Sequence, residues 1–463
     1  MRKSHSLILA LFLLLGGAVA CAPLGGDGCE GAACTGEAFT VAVIPDTQNM
    51  LDYLHQSDAT THTGEQFPIN ASEQFLGMMA HIADNAVGAG GDIVFAAAVG
   101  DVWQHQTELL DEDHAARGFR HDPNALIAMS GEVHATEATR SFEMPLAVKG
   151  YEQLAAAGLP FGVAPGNHDY DAMWADASFP GDPTRIAELR GMDPEILGML
   201  HIGGLDNFRT VFGAQSAFFA DKPWYVDSFN GGANAAQLFT GGGYRFLHIT
   251  LQMQAPDEVF DWARSVLERY PGLPTILTTH DYLDTNGERR ANPIVDLVRL
   301  DPEHHNSAEA LYRKLVHPND QVFLVLCGHH HGQSFRVDRN AAGNEVYQVL
   351  ADYQDRGQSV LDASAGLKNR HGRYYGTGDG WLRLMRFELE GDNPRVRVFT
   401  YSSHYGAYSG DIEQYADWYR PREQPRMTDA QFREADRFDI PLPDFRRRFG
   451  PAASRAGPHP RAD

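Results

Sequence analysis

Val41 to Met50 reads VAVIPDTQNM: an apolar run fit for a buried strand, then Asp46 and Gln48 two residues apart where that strand must end. An acid at such a point serves as a turn cap or as a metal ligand, so the stretch alone leaves its chemistry open. The same grammar recurs downstream. DIVFAAAVG runs into Asp101, LPFGVAP into Gly166-Asn167-His168-Asp169, LPTILTT into His280-Asp281, and QVFLVLC into Gly328-His329-His330-His331. Helical patterns lie between these runs: EQFLGMMAHIADNAV, with Phe75, Met78, Met79, Ile82 and Ala86 on one face, then Val148 to Gly158, DEVFDWARSVLERY and AEALYRKLVH. Strands alternating with helices predict an α/β domain with a buried sheet and helices outside. EVYQVLADY, GWLRLMRFELE and RVRVFTYSS follow without long helices between them and predict a second, mixed or antiparallel sheet.

Open α/β sheets bind ligands at the carboxyl ends of their strands, so these five endings can converge although 285 residues separate Asp46 from His331. Singly they are weak. A GD or DTQ after a strand is most often a turn, and a G-H-x-H match arises about 0.1 times by chance in this composition. Their fixed order, each behind an apolar strand, is what gives them weight.

With 463 residues, 43% hydrophobic and 21% charged, the chain has a globular composition and can bury a sizeable core. Acidic residues exceed basic ones by 61 to 38, a net charge of -23, which argues against broad nucleic-acid binding. The first twenty residues, MRKSHSLILALFLLLGGAVA, join a basic start to an apolar run and end in small residues, the pattern of an export signal. Cys21 follows at once, as in a bacterial lipoprotein, so lipidation there is expected, with plain secretion as the alternative and a periplasmic, outer-membrane or secreted location either way. No later stretch approaches the roughly 18 apolar residues of a membrane span. Residues 21–38 read as a flexible tether, in which Cys29 and Cys34 can pair, leaving Cys327 a single thiol. The folded domain is expected over 39–405, interrupted by insertions at about 104–145 and 171–243, with a C-terminal extension over 406–463 whose last dozen residues read as disordered.

The order D-x-Q, GD, GNHD, H, GHxH resembles the calcineurin-like metallophosphoesterase superfamily, whose pattern is D-x-H, GD, GNH-[DE], H, GH-x-H; the resemblance runs from Val41 to about Tyr405 and four of the five blocks match fully, the departure being Gln48 where that family usually has histidine. The resemblance implies a four-layer αββα sandwich with two metal ions at the strand ends. It implies that Asp101 bridges both ions, that Asp46 and His331 hold one, and that Asn167, His280 and His329 hold the other. His168 would stabilise or protonate the leaving oxygen, with Asp169 fixing its tautomer. Two such cations clamp a phosphate and activate a water as hydroxide, which implies a phosphomonoesterase or phosphodiesterase acting on phosphorylated small molecules or other phosphoesters. Mixed oxygen and nitrogen donors without thiolate suit Mn, Fe or Zn. Gln48 is a neutral oxygen donor, expected to bind directly or through water and to move preference toward Mn or Fe(II).

Two other readings compete. One is a surface lipoprotein that keeps the metal site for binding or adhesion but has lost catalysis, Gln48 being the first sign of decay; the other is metal storage by a His-rich secreted protein. Among remaining candidates, His105, His114, His121 and His134 read as surface histidines, with His105 the one worth testing for its nearness to Asp101. Trp103 reads as packing or as lining the pocket, with packing favoured, Tyr282 as packing or as a substrate contact, and Arg446 to Arg448 as a solvated face.

Overall fold

The computed structural model describes residues 37–124, 134–175, 200–290 and 295–450; the expected export signal, Cys21, most of the tether and the chain's last dozen residues lie outside them. The strands in chain order are β1 (Phe39–Ile44), β2 (Ile93–Ala98), β3 (Phe161–Val163), β4 (Ala172–Ala175), β5 (Leu200–Gly203), β6 (Tyr225–Phe229), β7 (Asn234–Gly241), β8 (Tyr244–Thr250), β9 (Thr275–Thr278), β10 (Val322–Cys327), β11 (Gly332–Arg339), β12 (Glu345–Asp352), β13 (Trp381–Glu388), β14 (Arg395–Ser402), β15 (Ala407–Tyr408) and β16 (Phe438–Pro441). They build two seven-stranded sheets. The first runs β15-β14-β13-β1-β2-β3, with β16 also on β14; the second runs β11-β12-β10-β9-β8-β7-β6; β4 and β5 make a small separate ladder.

Alternation along the strands explains the layering. In β1, Val41 and Val43 join Phe95, Phe239, Phe246, Ile276, Phe323 and Val349 in a core between the two sheets. Ala42 and Ile44 point the other way, onto the helices Ala71–Asp84 and Met144–Ala156. On the far side, Leu247, Ile249, Leu277 and Val325 cover the helix Asp257–Arg269, whose Val259, Phe260, Ala263 and Val266 form its buried stripe. The result is an αββα sandwich, as the family resemblance implied.

Three placements differ from the sequence reading. The late strands do not form a sheet of their own: β12 lies parallel to β10 in the second sheet, whereas β13 lies antiparallel to β1 in the first. The stretch 171–243, read as an insertion, supplies β6 and β7, and β7 pairs with β8 as a hairpin inside the second sheet. Beyond residue 406, β16 completes the first sheet, and the helices Tyr415–Glu423 and Asp429–Asp436 pack Tyr415, Tyr419 and Phe432 around Trp381. No helix among the described residues is long and apolar enough to cross a membrane.

Candidate functional site

The parallel strands of both sheets end on one side of the sandwich, and their ends are laced together. The Thr47 and Gln48 amides donate to the Asp101 carbonyl (3.0 and 2.9 Å), joining the ends of β1 and β2; the Gly328 amide donates to the His280 carbonyl (3.0 Å), joining β9 and β10. Two bonds cross between the sheets. The His329 amide donates to Asp46 Oδ2 (3.0 Å) and His280 Nδ1 donates to the Val99 carbonyl (2.9 Å).

Local backbone geometry shows how tightly this is drawn. Asp101 and His329 both sit at positive φ, 52° and 72°, a region that costs non-glycine residues energy and that Asp and His tolerate better than most. A Cβ on Gly328 would lie 2.1 Å from Asp46 Oδ1, and one on Gly166 would lie 2.2 Å from Asp101 Oδ1. Glycine is therefore demanded by close approach at both motif positions.

Asp101, His280 and His329 offer donor atoms within 4.8 Å of one another, all buried. His280 Nε2 lies 3.1 Å from Asp101 Oδ2 and 3.9 Å from Asp46 Oδ2. Since Nδ1 already donates to Val99, the Nε2 of a neutral ring presents a lone pair to two carboxylates. That arrangement needs a positive charge. Burial works against protonating His280, but Asp101 and Asp46 outweigh it and push its pKa up to about 10. Burial and the Asp352 carboxylate raise Asp46 well above the usual range, while Asp101 is held low because His280 and His168 outweigh its burial.

The polar atoms left over fit a cation site. Asp46 Oδ1, Gln48 Oε1, Asn167 Oδ1, His280 Nε2 and Asp352 Oδ2 are buried without a hydrogen-bond partner. Such an orphan costs about 1–3 kcal/mol, and these oxygens at converging strand ends, with His280 in its neutral form, have the chemistry to hold cations. No thiolate belongs to the set: Cys327 is buried, unpaired and carries a thiol that burial pushes up in pKa.

Asp46, Asp101, His280 and His329 thus meet at one place. Asn167 follows Gly166 directly against Asp101, and His168 donates its amide to Asp101 Oδ1 (2.8 Å). Gln48 donates its amide to Asp101 Oδ2 (3.3 Å) and to Gln354. His331 stands farther out: its side chain is 48% exposed, Nδ1 pairs with Asp355 Oδ2 at 2.8 Å, and Nε2 meets the Gln354 amide. Gln354 therefore bridges Gln48 and His331.

The expected role of Asp169 needs correction. Its carboxylate accepts from the backbone amides of Val102 (2.8 Å), Trp103 (3.4 Å) and Gly166 (2.8 Å), because the single helical turn Asn167–Asp169 folds it back onto the chain. The tautomer of His168 is set instead by the Gln104 carbonyl, which accepts from Nδ1 at 2.6 Å. Asp169 shapes the loop and does not touch the imidazole through any of these bonds.

Sequence reasoning missed Asp352, Gln354 and Gln104. Asp352 ends β12, which is parallel to β10, and burial raises its pKa to about 6. The histidines of the first insertion are more enclosed than predicted: His105 is buried against Glu143, and His114 pairs with Asp111 and packs on Trp174. Trp103 and Tyr282 are packed in the core, as read, whereas Arg448 is enclosed and donates to the Glu345 carbonyl.

No protein-family model matches the chain. Over 259 residues, 54% of its length, it is 26% identical to the uncharacterized protein YvnB of Bacillus subtilis (strain 168), and it spans 15% of that relative's length. Among solved structures it is similar to GAP50, the anchor in the inner membrane complex of Plasmodium, at 10% identity and TM-score 0.33 over 80% of this chain and 86% of that one. It is also similar to a dimetal phosphatase from Danio rerio, at 11% identity and TM-score 0.36 over 79% of this chain and 96% of that one. Likeness at these scores adds nothing to the site geometry.

Proposed function

We propose that the chain is an exported, metal-dependent hydrolase of phosphoric esters, held at a membrane surface by a lipid on Cys21. One observation carries the reading: buried acceptors of Asp46, Gln48, Asn167 and His280, from both sheets, meet around Asp101 without protein donors. Asp101 would bridge two divalent cations, Asp46 and Gln48 with His331 would serve one, and Asn167, His280 and His329 the other. Mn, Fe and Zn suit these donors. Two cations held so closely would clamp the phosphoryl oxygens and lower the pKa of water for in-line attack.

The chain's own residues supply the rest. Because the Gln104 carbonyl accepts a hydrogen bond from His168 Nδ1, Nε2 is the atom available to the substrate, where a protonated ring would donate to the leaving oxygen. Asp169 holds the turn that carries His168. A phosphorylated small molecule is the proposed substrate, and the net charge of -23 disfavours a nucleic-acid polymer.

The test is turnover of a chromogenic phosphomonoester and of the matching diester by purified protein, with Mn, Fe, Zn and Mg supplied separately. Turnover with at least one metal, abolished by a chelator, is expected. Folded protein that binds metal yet hydrolyses neither ester would replace this reading with a binding role.

A further inference from the structure

Glu143 closes a single π-helical turn, Thr139–Glu143, at the start of the helix Met144–Ala156, and its side chain is fully buried. Turns of this kind cluster at functional sites. Its carboxylate is surrounded by donors: Oε1 accepts from His105 Nδ1 (2.7 Å) and from the Tyr53 amide (3.3 Å), and Oε2 accepts from the amides of His105 (3.0 Å) and Gln104 (3.2 Å). The His105 amide shares one peptide plane with the Gln104 carbonyl. That carbonyl is the group that accepts from His168 Nδ1 at 2.6 Å.

A trans peptide is rigid, so anchoring its N–H edge fixes the direction of its C=O edge. Residues 102–106 are held on one side by Asp169, through Val102 and Trp103, and on the other by Glu143, through Gln104 and His105. The Gln104 carbonyl is aimed from between these two carboxylates. Hydrogen bonds in such a chain also polarise one another, so a charged acceptor on the N–H makes the carbonyl a stronger acceptor.

We propose that Glu143 is a positioning residue for His168, acting through the Gln104–His105 peptide to fix the ring's tautomer and aim Nε2 at the leaving oxygen. This rests on the phosphoric ester hydrolase reading. It predicts a defect that depends on how much help the leaving group needs. Glu143→Gln keeps shape and volume but removes the charge and leaves one acceptor oxygen where the carboxylate had two, so the backbone amides of Tyr53, Gln104 and His105 can no longer all be served by an oxygen on their own side.

The experiment compares wild type, Glu143→Gln, His168→Ala and the double variant on an alkyl phosphoester and a 4-nitrophenyl phosphoester, with metal content measured in each. Glu143→Gln is expected to lower kcat for the alkyl ester about 10- to 100-fold, the range seen when partners of site residues are lost. The loss for the 4-nitrophenyl ester should be several-fold smaller, KM and metal content should hold, and His168→Ala should abolish the effect of the second substitution. Equal losses on both esters, or losses that multiply in the double variant, would overturn the proposal. A second readout needs no turnover. In metal-free protein with 15N-labelled histidine, the His168 Nδ1–H signal, assigned by its loss in His168→Ala, should exchange with solvent at least about tenfold faster in Glu143→Gln. Unchanged exchange would overturn the positioning role. Faster exchange in a protein inactive on every ester and metal would uphold the positioning while sinking the hydrolase reading.

Discussion

His248 and His280 are both completely buried, and Thr278 touches the first and lies two residues before the second. Their surroundings differ in one respect. His248 donates from Nδ1 to Gln237 Oε1 and accepts at Nε2 from Thr278 Oγ1, both at 2.8 Å, so its ring is closed within the chain. Burial then pushes its pKa down to about 3. His280 satisfies only Nδ1, and its Nε2 faces Asp101 and Asp46, which outweigh burial and push it up to about 10. The same residue type at the same depth is a structural element in one place and part of a candidate cation site in the other, and the difference is whether the chain supplies the second partner.

The largest effect should come from breaking the open member. His280→Gln is expected to lower bound metal sharply and to cut turnover by more than about 100-fold, beyond the range for residues that only support ligands. His248→Gln should leave metal content and turnover near wild type. Metal analysis of the two purified variants decides it, and equal metal loss would erase the distinction drawn between the two histidines.

The closed member should matter to stability in acid. Unfolded histidine takes up a proton near pH 6.5 and folded His248 only near pH 3, so between those values the unfolded chain binds more protons. Its contribution is therefore complete above about pH 6.5 and is lost as pH falls toward 3, at up to about 1.4 kcal/mol per pH unit. Urea midpoints measured from pH 7 to pH 4 should fall more steeply in wild type than in His248→Gln. Parallel slopes would show that another group dominates the acid response.

How far such differences could be read from the sequence depends on whether a residue's partner is local. β1, β2, β3, β9 and β10 were legible because each is an apolar run, and Asp46, Asp101, Asn167, His280 and His329 were legible because ligand residue types stand directly behind those runs. Asp352 closes the apolar run within EVYQVLADY and Gln354 follows it directly, but strand direction is settled by distant pairing, and only the parallel register of β12 with β10 brings that end to the site. The β7–β8 hairpin was hidden for the opposite reason: the glycines at 241–243 look like a loop, but Gly241 ends β7 and Gly242 and Gly243 are its turn. The family resemblance implied Asp169 as the partner of His168, whereas the partner is a main-chain carbonyl. A carbonyl carries no residue code, and this one arrives from an insertion.

Gln48 gives the smallest and sharpest test of the same contrast, because it supplies an acceptor to the open site while also bonding within the chain. Its Oε1 is buried without a donor, and its amide nitrogen is spent on Asp101 Oδ2 and Gln354. Oε1 is therefore the atom left for a cation under the proposed function, and a neutral oxygen there would suit Mn or Fe(II) without favouring Zn as an imidazole would. Gln48→His would exchange that oxygen for a nitrogen donor and give up the bond to Gln354, freeing Gln354 to shift toward His331, which it already meets. Competition for sub-stoichiometric metal should then show Zn gaining on Mn by about tenfold, ~1.4 kcal/mol, with total capacity unchanged. An unaltered order of preference would place Gln48 outside the ligand set, as a residue that only bonds to Asp101 and Gln354, and the first ion would have to rest on Asp46, Asp101 and the Gln354–His331 pair.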